Sequence, residues 1–201
     1  NIPIQSNSAG WQKAYGTVNN EYFTCVRQTS DGSYIGLGNH VDAGPTINYA
    51  PVVKLDNNGA IQWVKGYHPS IGSIKQTSDG GYILDAGNAC VIKTDPSGVV
   101  QWSTWFASAW TTLGDHAISE TNDGGYILSG VAAGSAITKL SSTGVVQFMR
   151  TYNNLELHSI LPTMDGGYVA FGSTVIGLTN AELVLLRVNR CGDLVWCKSY
   201  G

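Results

Sequence analysis

Short apolar runs, each closed by a glycine turn, set the rhythm of this chain. Tyr34-Ile35, Tyr82-Ile83-Leu84, Tyr126-Ile127-Leu128 and Tyr168-Val169 each follow an Asp-Gly step, and Val52-Val53, Val91-Ile92, Ile137 and Leu186 lead into a second glycine turn. Aromatic and β-branched runs of this length suit a pleated, half-buried surface, and an Asp-Gly step supplies the positive φ angles that a tight hairpin demands. After the second turn the pattern changes to alternation. Trp63, Lys65 and Tyr67 stand at i, i+2 and i+4, as do Phe148, Arg150 and Tyr152, and Trp196, Lys198 and Tyr200. Residues two apart on a strand share a face, so the rings are expected to fill the space beside a neighbouring unit with the cation lying along them.

These signals recur as one block. The aspartates Asp31, Asp79, Asp123 and Asp165 stand 48, 44 and 42 residues apart, each two residues after a threonine (Thr29, Thr77, Thr121, Thr163). One block reads strand, Asp-Gly turn, strand, variable loop, strand, glycine turn, strand. Four short antiparallel strands in a period of this length are the anatomy of a propeller blade. The chain is therefore expected to be all-β and β-propeller-like, with four blades of four antiparallel strands at about 20–67, 68–106, 107–152 and 153–201. Residues 1–19 are left as an N-terminal tail, in which Trp11–Tyr15 is a fifth copy of the last strand. That extra strand either adds to an edge, or pairs with another copy of the protein, or marks a piece of a longer array.

Composition narrows the functional classes. Only 12% of residues are charged, the net charge is −3, and no Lys/Arg cluster occurs, so the electrostatic footprint of a nucleic-acid binder is missing. No apolar run is long enough for a membrane span, and membrane insertion is not expected. Asn1 reads as a processed or trimmed end from which an export signal would have been removed. Among Cys25, Cys90, Cys191 and Cys197, the pair Cys191 and Cys197 flanks one hairpin turn and is the candidate disulfide. A two-residue turn would instead set Cys197 opposite Leu186, and buried free thiols are the alternative.

The combined motif resembles the Thr-x-Asp-Gly-Gly-Tyr-Ile … Lys-Leu-Asp-x-x-Gly-x-x-x-Trp-x-Lys-x-Tyr-Gly repeats of large secreted and cell-surface proteins of bacteria and archaea, and the likeness runs from Trp11 to Gly201. The resemblance implies an extracellular or cell-surface location and a non-catalytic role in adhesins or surface assemblies. It carries no catalytic residues. Phe148 in place of Trp and Ser141 in place of Asp depart from the pattern.

Candidate ligand or partner residues lie outside the repeat consensus. His116 and His158 both stand seven residues before their aspartate, where other copies have Thr24 and Gly72, and two imidazoles on adjacent blades could share a metal or ligand. Two histidines do not make a closed zinc site, so no metal and no cofactor are expected. The turn aspartates do not form an acidic calcium loop and read as carboxylates bonding their own backbone. Trp105 and Trp110 sit off the repeat's Trp position and could stack on a sugar or a partner protein, or pack between the second and third blades. His40 and Tyr49 belong to the longest variable loop, where binding usually resides on a rigid scaffold. The expected role is a non-catalytic structural or adhesive module that binds protein, including its own copies through the extra strand. A lectin-like module binding glycans with blade-top loops is the alternative.

Overall fold

The computed structural model describes residues 11–15, 20–41, 50–68, 71–86, 90–106, 117–132, 134–174 and 181–201. Sixteen strands and no helix occur among them. β1 (Asn20–Gln28), β2 (Tyr34–Val41), β3 (Ala50–Leu55) and β4 (Ile61–Tyr67) form one antiparallel sheet in chain order. β5 (Ile71–Gln76), β6 (Tyr82–Ala86), β7 (Cys90–Thr94) and β8 (Val100–Trp105) form the second. β9 (Ile118–Glu120), β10 (Tyr126–Ala132), β11 (Gly134–Leu140) and β12 (Val146–Tyr152) form the third, and β13 (Leu155–Pro162), β14 (Tyr168–Thr174), β15 (Leu183–Val188) and β16 (Leu194–Tyr200) the fourth. Each sheet falls within one expected blade. By its internal contacts the chain divides into two compact units, Asn1–Tyr67 and His68–Gly201, so the first blade forms one unit and the other three form the second.

The hairpins differ from a two-residue Asp-Gly turn. In the first turn of each blade the glycine amide bonds the threonine carbonyl and the threonine amide bonds the carbonyl of the residue after the glycine, as in Gly124 N to Thr121 O and Thr121 N to Gly125 O, both 2.9 Å. Only the glycines (Gly32, Gly80, Gly124, Gly166) have positive φ, so this is a type I turn closed by a left-handed glycine. The aspartate keeps ordinary backbone geometry and turns its carboxylate back toward the threonine hydroxyl. The second turns repeat the plan with Gly59, Gly98, Gly144 and Gly192. Their first residue supplies the acceptor: Asp56 Oδ1 takes Asn58 N and Ala60 N, Ser141 Oγ takes Val145 N, and Asn189 Oδ1 takes Cys191 N and Asp193 N. Ser141 can replace aspartate because any short side-chain acceptor does this work.

Within the three-blade unit the core lies between successive sheets. Tyr126, Leu128, Ala136 and Leu140 of the third blade meet Ile83, Val91 and Phe106 of the second. Ile127 and Ile137, one residue away and so on the opposite face, meet Leu157, Ile160, Tyr168, Ala170, Leu186 and Val188 of the fourth. A middle strand covered on both faces must be apolar at consecutive positions. β10 and β11 meet that condition with Tyr126-Ile127-Leu128 and Ala136-Ile137; β6 and β7 are likewise buried throughout, while β8 alternates.

Candidate functional site: cation anchors and aromatic blade edges

Each first turn is anchored by a cation from the third strand of its own blade, buried at Lys54, Lys93 and Lys139 and partly exposed at Arg187. Lys93 Nζ donates to Asp79 Oδ2 at 2.7 Å and to Thr94 O at 2.8 Å; Lys139 Nζ donates to Asp123 Oδ1 at 3.0 Å and Leu140 O at 2.9 Å. Arg187 Nη2 holds both oxygens of Asp165, at 2.6 and 2.5 Å. The threonine hydroxyl completes the cluster, donating to the aspartate at 2.5–2.6 Å in all four turns. In the first blade Lys54 Nζ donates to Asp31 only at longer range, 3.3 and 3.4 Å to its two oxygens, and makes its shortest bond to Thr29 Oγ1 at 2.5 Å. The cause is Ser33, which occupies the place of Gly81, Gly125 and Gly167. A Cβ at those glycines would strike the cation and the strand's carbonyl oxygen.

These bonds set the charge of the carboxylates. Burial alone would raise the Asp123 carboxyl, but hydrogen bonds from Thr121, Lys139 and the Gly125 amide hold it down to about 2. Asp31 is lowered chiefly by the Thr29 hydroxyl, and Asp165 by that of Thr163. The sequence shows the anchor only as a cation recurring two residues before Asp56, Asp95, Ser141 and Asn189. Nothing in the spacing says that it reaches back to the other turn.

The outer strands carry the second recurrent device. Trp102 Nε1 donates to Ser142 O at 2.9 Å across the boundary between the second and third blades, and Thr104 Oγ1 donates to Gly144 O at 2.6 Å. Phe106, lacking a hydroxyl, fills the adjoining core. From the third blade to the fourth, Phe148 lies against Gly192 and Tyr152 OH donates to Gly192 O at 2.5 Å. Arg150 rides on the Phe148 ring and Lys198 on the Trp196 ring, 5.9 and 5.6 Å from the centroids. Within the first unit, Trp11 Nε1 donates to Asn57 O at 2.9 Å and Tyr15 OH to Gly59 O at 2.5 Å. The leftover copy of the outer strand therefore docks on its own blade through side chains, and Trp11–Tyr15 joins no sheet among the described residues. Trp102→Ala removes the indole bond and the Trp102–Tyr126 ring contact, 5.6 Å between centroids. It is expected to lower the free energy of unfolding by about 2–3 kcal/mol, below the full cost of a core tryptophan because Trp102 is half-buried; urea denaturation checks this.

Beside this boundary runs a groove of about 510 Å³ between the third and fourth blades. Phe148 and Tyr168 line it, their rings 6.2 Å apart, together with Arg150, Arg190, Gln147 and the Asp123–Lys139 pair. It is the described surface where aromatic faces and cations converge.

The residues singled out from sequence are not brought together. Tyr49, Trp110 and His116 lie outside the described residues, and of His40 only the backbone, at the end of β2, is placed. His158 is half-buried and is the extra residue of a β-bulge in β13. Thr24 and Gly72 are the bulge residues of β1 and β5, so the position is a structural irregularity of the first strand. No cluster able to hold a metal occurs among the described residues. Trp105 is 61% exposed, on the face of β8 opposite Trp102, so the packing role considered for it falls to Phe106. Cys191 and Cys197 are both free and exposed, which corrects the candidate disulfide. Cys191 sits within the turn, and Cys197 faces Leu186 across the ladder.

One buried acid was missed. Asp85 in β6 is 4% exposed and its carboxyl is pushed up to about 7 by burial. Glycine at the neighbouring bulge leaves room for it, since a Cβ on Gly72 would stand 3.3 Å from Asp85 Oδ2. The folded-state value lies above the unfolded one, near 4, so Asp85 leaves stability intact below pH ~4 and costs progressively more as pH rises toward 7. Asp85→Asn should raise the melting temperature at pH 8 by several degrees more than at pH 4.5, by thermal scans at both values. The Asp123 anchor acts in the opposite sense and lower window: its contribution is present above pH ~4 and lost as pH falls toward 2.

Sheet order, turn geometry and blade-to-blade docking define an all-β, propeller-like repeat protein. The fold is similar to that of a protein of unknown function from Bacteroides caccae, with TM-score 0.60 at 10% identity over 93% of this chain and 70% of that one. It is also similar to BBS1N, solved in complex with ARL6DN, with TM-score 0.51 at 8% identity over 90% of this chain and 67% of that one. BamB from Moraxella catarrhalis matches with TM-score 0.48 at 11% identity over 89% of this chain and 76% of that one. No family model and no curated protein sequence matches the chain.

Proposed function

We propose that the protein is an extracellular, non-catalytic structural or adhesive module that works through protein contacts. The observation that carries this reading is the outer-strand face, a stripe of two rings that recurs in every blade and that seats on a glycine turn from Trp11–Tyr15, β8 and β12. The repeat's resemblance to surface proteins supports the location, as does the low share of charged residues. A neighbour of this fold, BBS1N, was solved bound to another protein, an analogy at the level of fold. The second reading, a glycan-binding module, draws on the Phe148–Tyr168 groove with Arg150 and Arg190 and on the exposed Trp105. A glycan array paired with negative-stain electron microscopy separates the two. Assemblies without specific sugar binding support the contact module; specific sugar binding by single particles, lost on Phe148→Ala or Trp105→Ala, replaces it with the lectin.

A further inference from the structure

We propose that the Trp196–Tyr200 face of β16 is a docking site for the Asp56–Ala60 turn of a second copy of this chain, taken in exchange for that copy's own Trp11–Tyr15 segment. The inference rests on reading the protein as a contact-forming module.

The chain itself shows what such a face accepts. Trp11 and Tyr15 seat on Gly59, Trp102 and Thr104 on Gly144, and Phe148 and Tyr152 on Gly192. In each case a ring lies against the glycine, where a Cβ would overlap it, and a hydroxyl on the same face donates to the glycine carbonyl. Two of the three add an indole bond to the carbonyl of the second turn residue, Asn57 or Ser142. Trp196, Lys198 and Tyr200 repeat this stripe, yet Trp196 and Tyr200 donate to no turn among the described residues. The aromatic residue at the end of the stripe is 7% exposed at Tyr67 and 9% at Phe106, but 54% at Tyr200. Leu194 and Val195 beside it are exposed as well.

The choice of turn follows from how firmly each is held. Gly144 and Gly192 are covered by residues of β8 and β12, whose backbones are bonded into sheets. Gly59 is covered by Trp11–Tyr15, which among the described residues joins no sheet and is held by the Trp11 and Tyr15 side-chain hydrogen bonds and by ring contacts with Tyr34 and Phe23. β16 presents the same stripe on a strand already ordered by its ladder with β15, so docking it costs less conformational entropy than ordering a free segment. Face and turn are different surfaces. The contact is therefore heterologous and can repeat from copy to copy into a ring or a filament.

The test uses the full chain with Tyr200→p-benzoylphenylalanine, which keeps an aromatic ring in the stripe, mixed as isotopically labelled and unlabelled copies. Illumination is expected to join position 200 of one copy to residues 56–60 of the other, identified by mass spectrometry. Trp11→Ala/Tyr15→Ala vacates the turn and should raise that product at least threefold; Trp196→Ala should abolish it. Sedimentation velocity without the photolabel should show larger species for Trp11→Ala/Tyr15→Ala and monomer once Trp196→Ala is added. Links that fall elsewhere, that stay within one copy, or that do not form overturn the proposal. So does a folded Trp11→Ala/Tyr15→Ala variant that remains monomeric. Each of these outcomes rejects the face alone, whereas sugar binding by single particles rejects the contact-module reading beneath it.

Discussion

Gly125→Ala is expected to lower the free energy of unfolding by about 3 kcal/mol or more, toward the upper end of what overpacking costs. The added Cβ would overlap both the Leu140 carbonyl oxygen and the Lys139 ammonium, two groups that bond each other at 2.9 Å. The carbonyl belongs to the β11 backbone and cannot retreat without disturbing the ladder, and the ammonium can withdraw only by loosening its bond to Asp123. For a domain of this size that loss corresponds to a fall in melting temperature of roughly 6–12 °C. The first blade is the internal control. There Ser33 is already accommodated by the withdrawn Lys54, and Ser33→Gly should change stability by less than about 1 kcal/mol. Thermal and urea unfolding of the two variants side by side check both values.

Asp123→Ala should cost about 2–3 kcal/mol, and Lys139→Met should cost no more than about 1 kcal/mol. The asymmetry comes from burial: the side chain of Lys139 is 4% exposed and that of Asp123 is 58% exposed. Removing the carboxylate strands an ammonium inside the protein with one carbonyl partner, Leu140 O. The expected cost lies below that of breaking a fully buried pair because water can enter where the exposed carboxylate stood. Removing the cation leaves a solvated carboxylate that still accepts from Thr121 and the Gly125 amide. Equal losses for the two variants in urea titrations at pH 7 would contradict this account of the anchor.

Much of the fold was legible because its signals are local. Each turn glycine and the aromatic strand after it lie within a few residues of one another, and their fourfold recurrence marks the blades at almost the bounds observed. The candidate site was less legible. His158 looked like a ligand because it replaces Thr24 and Gly72, yet all three are bulge residues, a backbone property that residue type does not announce. Asp85 escaped notice because an acid after Tyr82-Ile83-Leu84 reads as a polar step in a half-exposed strand, while every position of β6 is buried.

By itself the sequence determined the four-strand repeat, its turns and the aromatic stripe on every outer strand, with a cation between the rings on three of the four, since these depend on spacing within about ten residues. Tertiary structure decided the partners. Lys93 reaches Asp79 from 14 residues away and Lys54 reaches Asp31 from 23, each across a hairpin and a loop whose path no local pattern specifies. It also decided the place of Trp11–Tyr15, which docks on a turn 44 residues distant by side chains alone. The physical reason is the same in both cases: a charge or a ring finds its partner through the space left between packed sheets, and that space exists only once the sheets have formed.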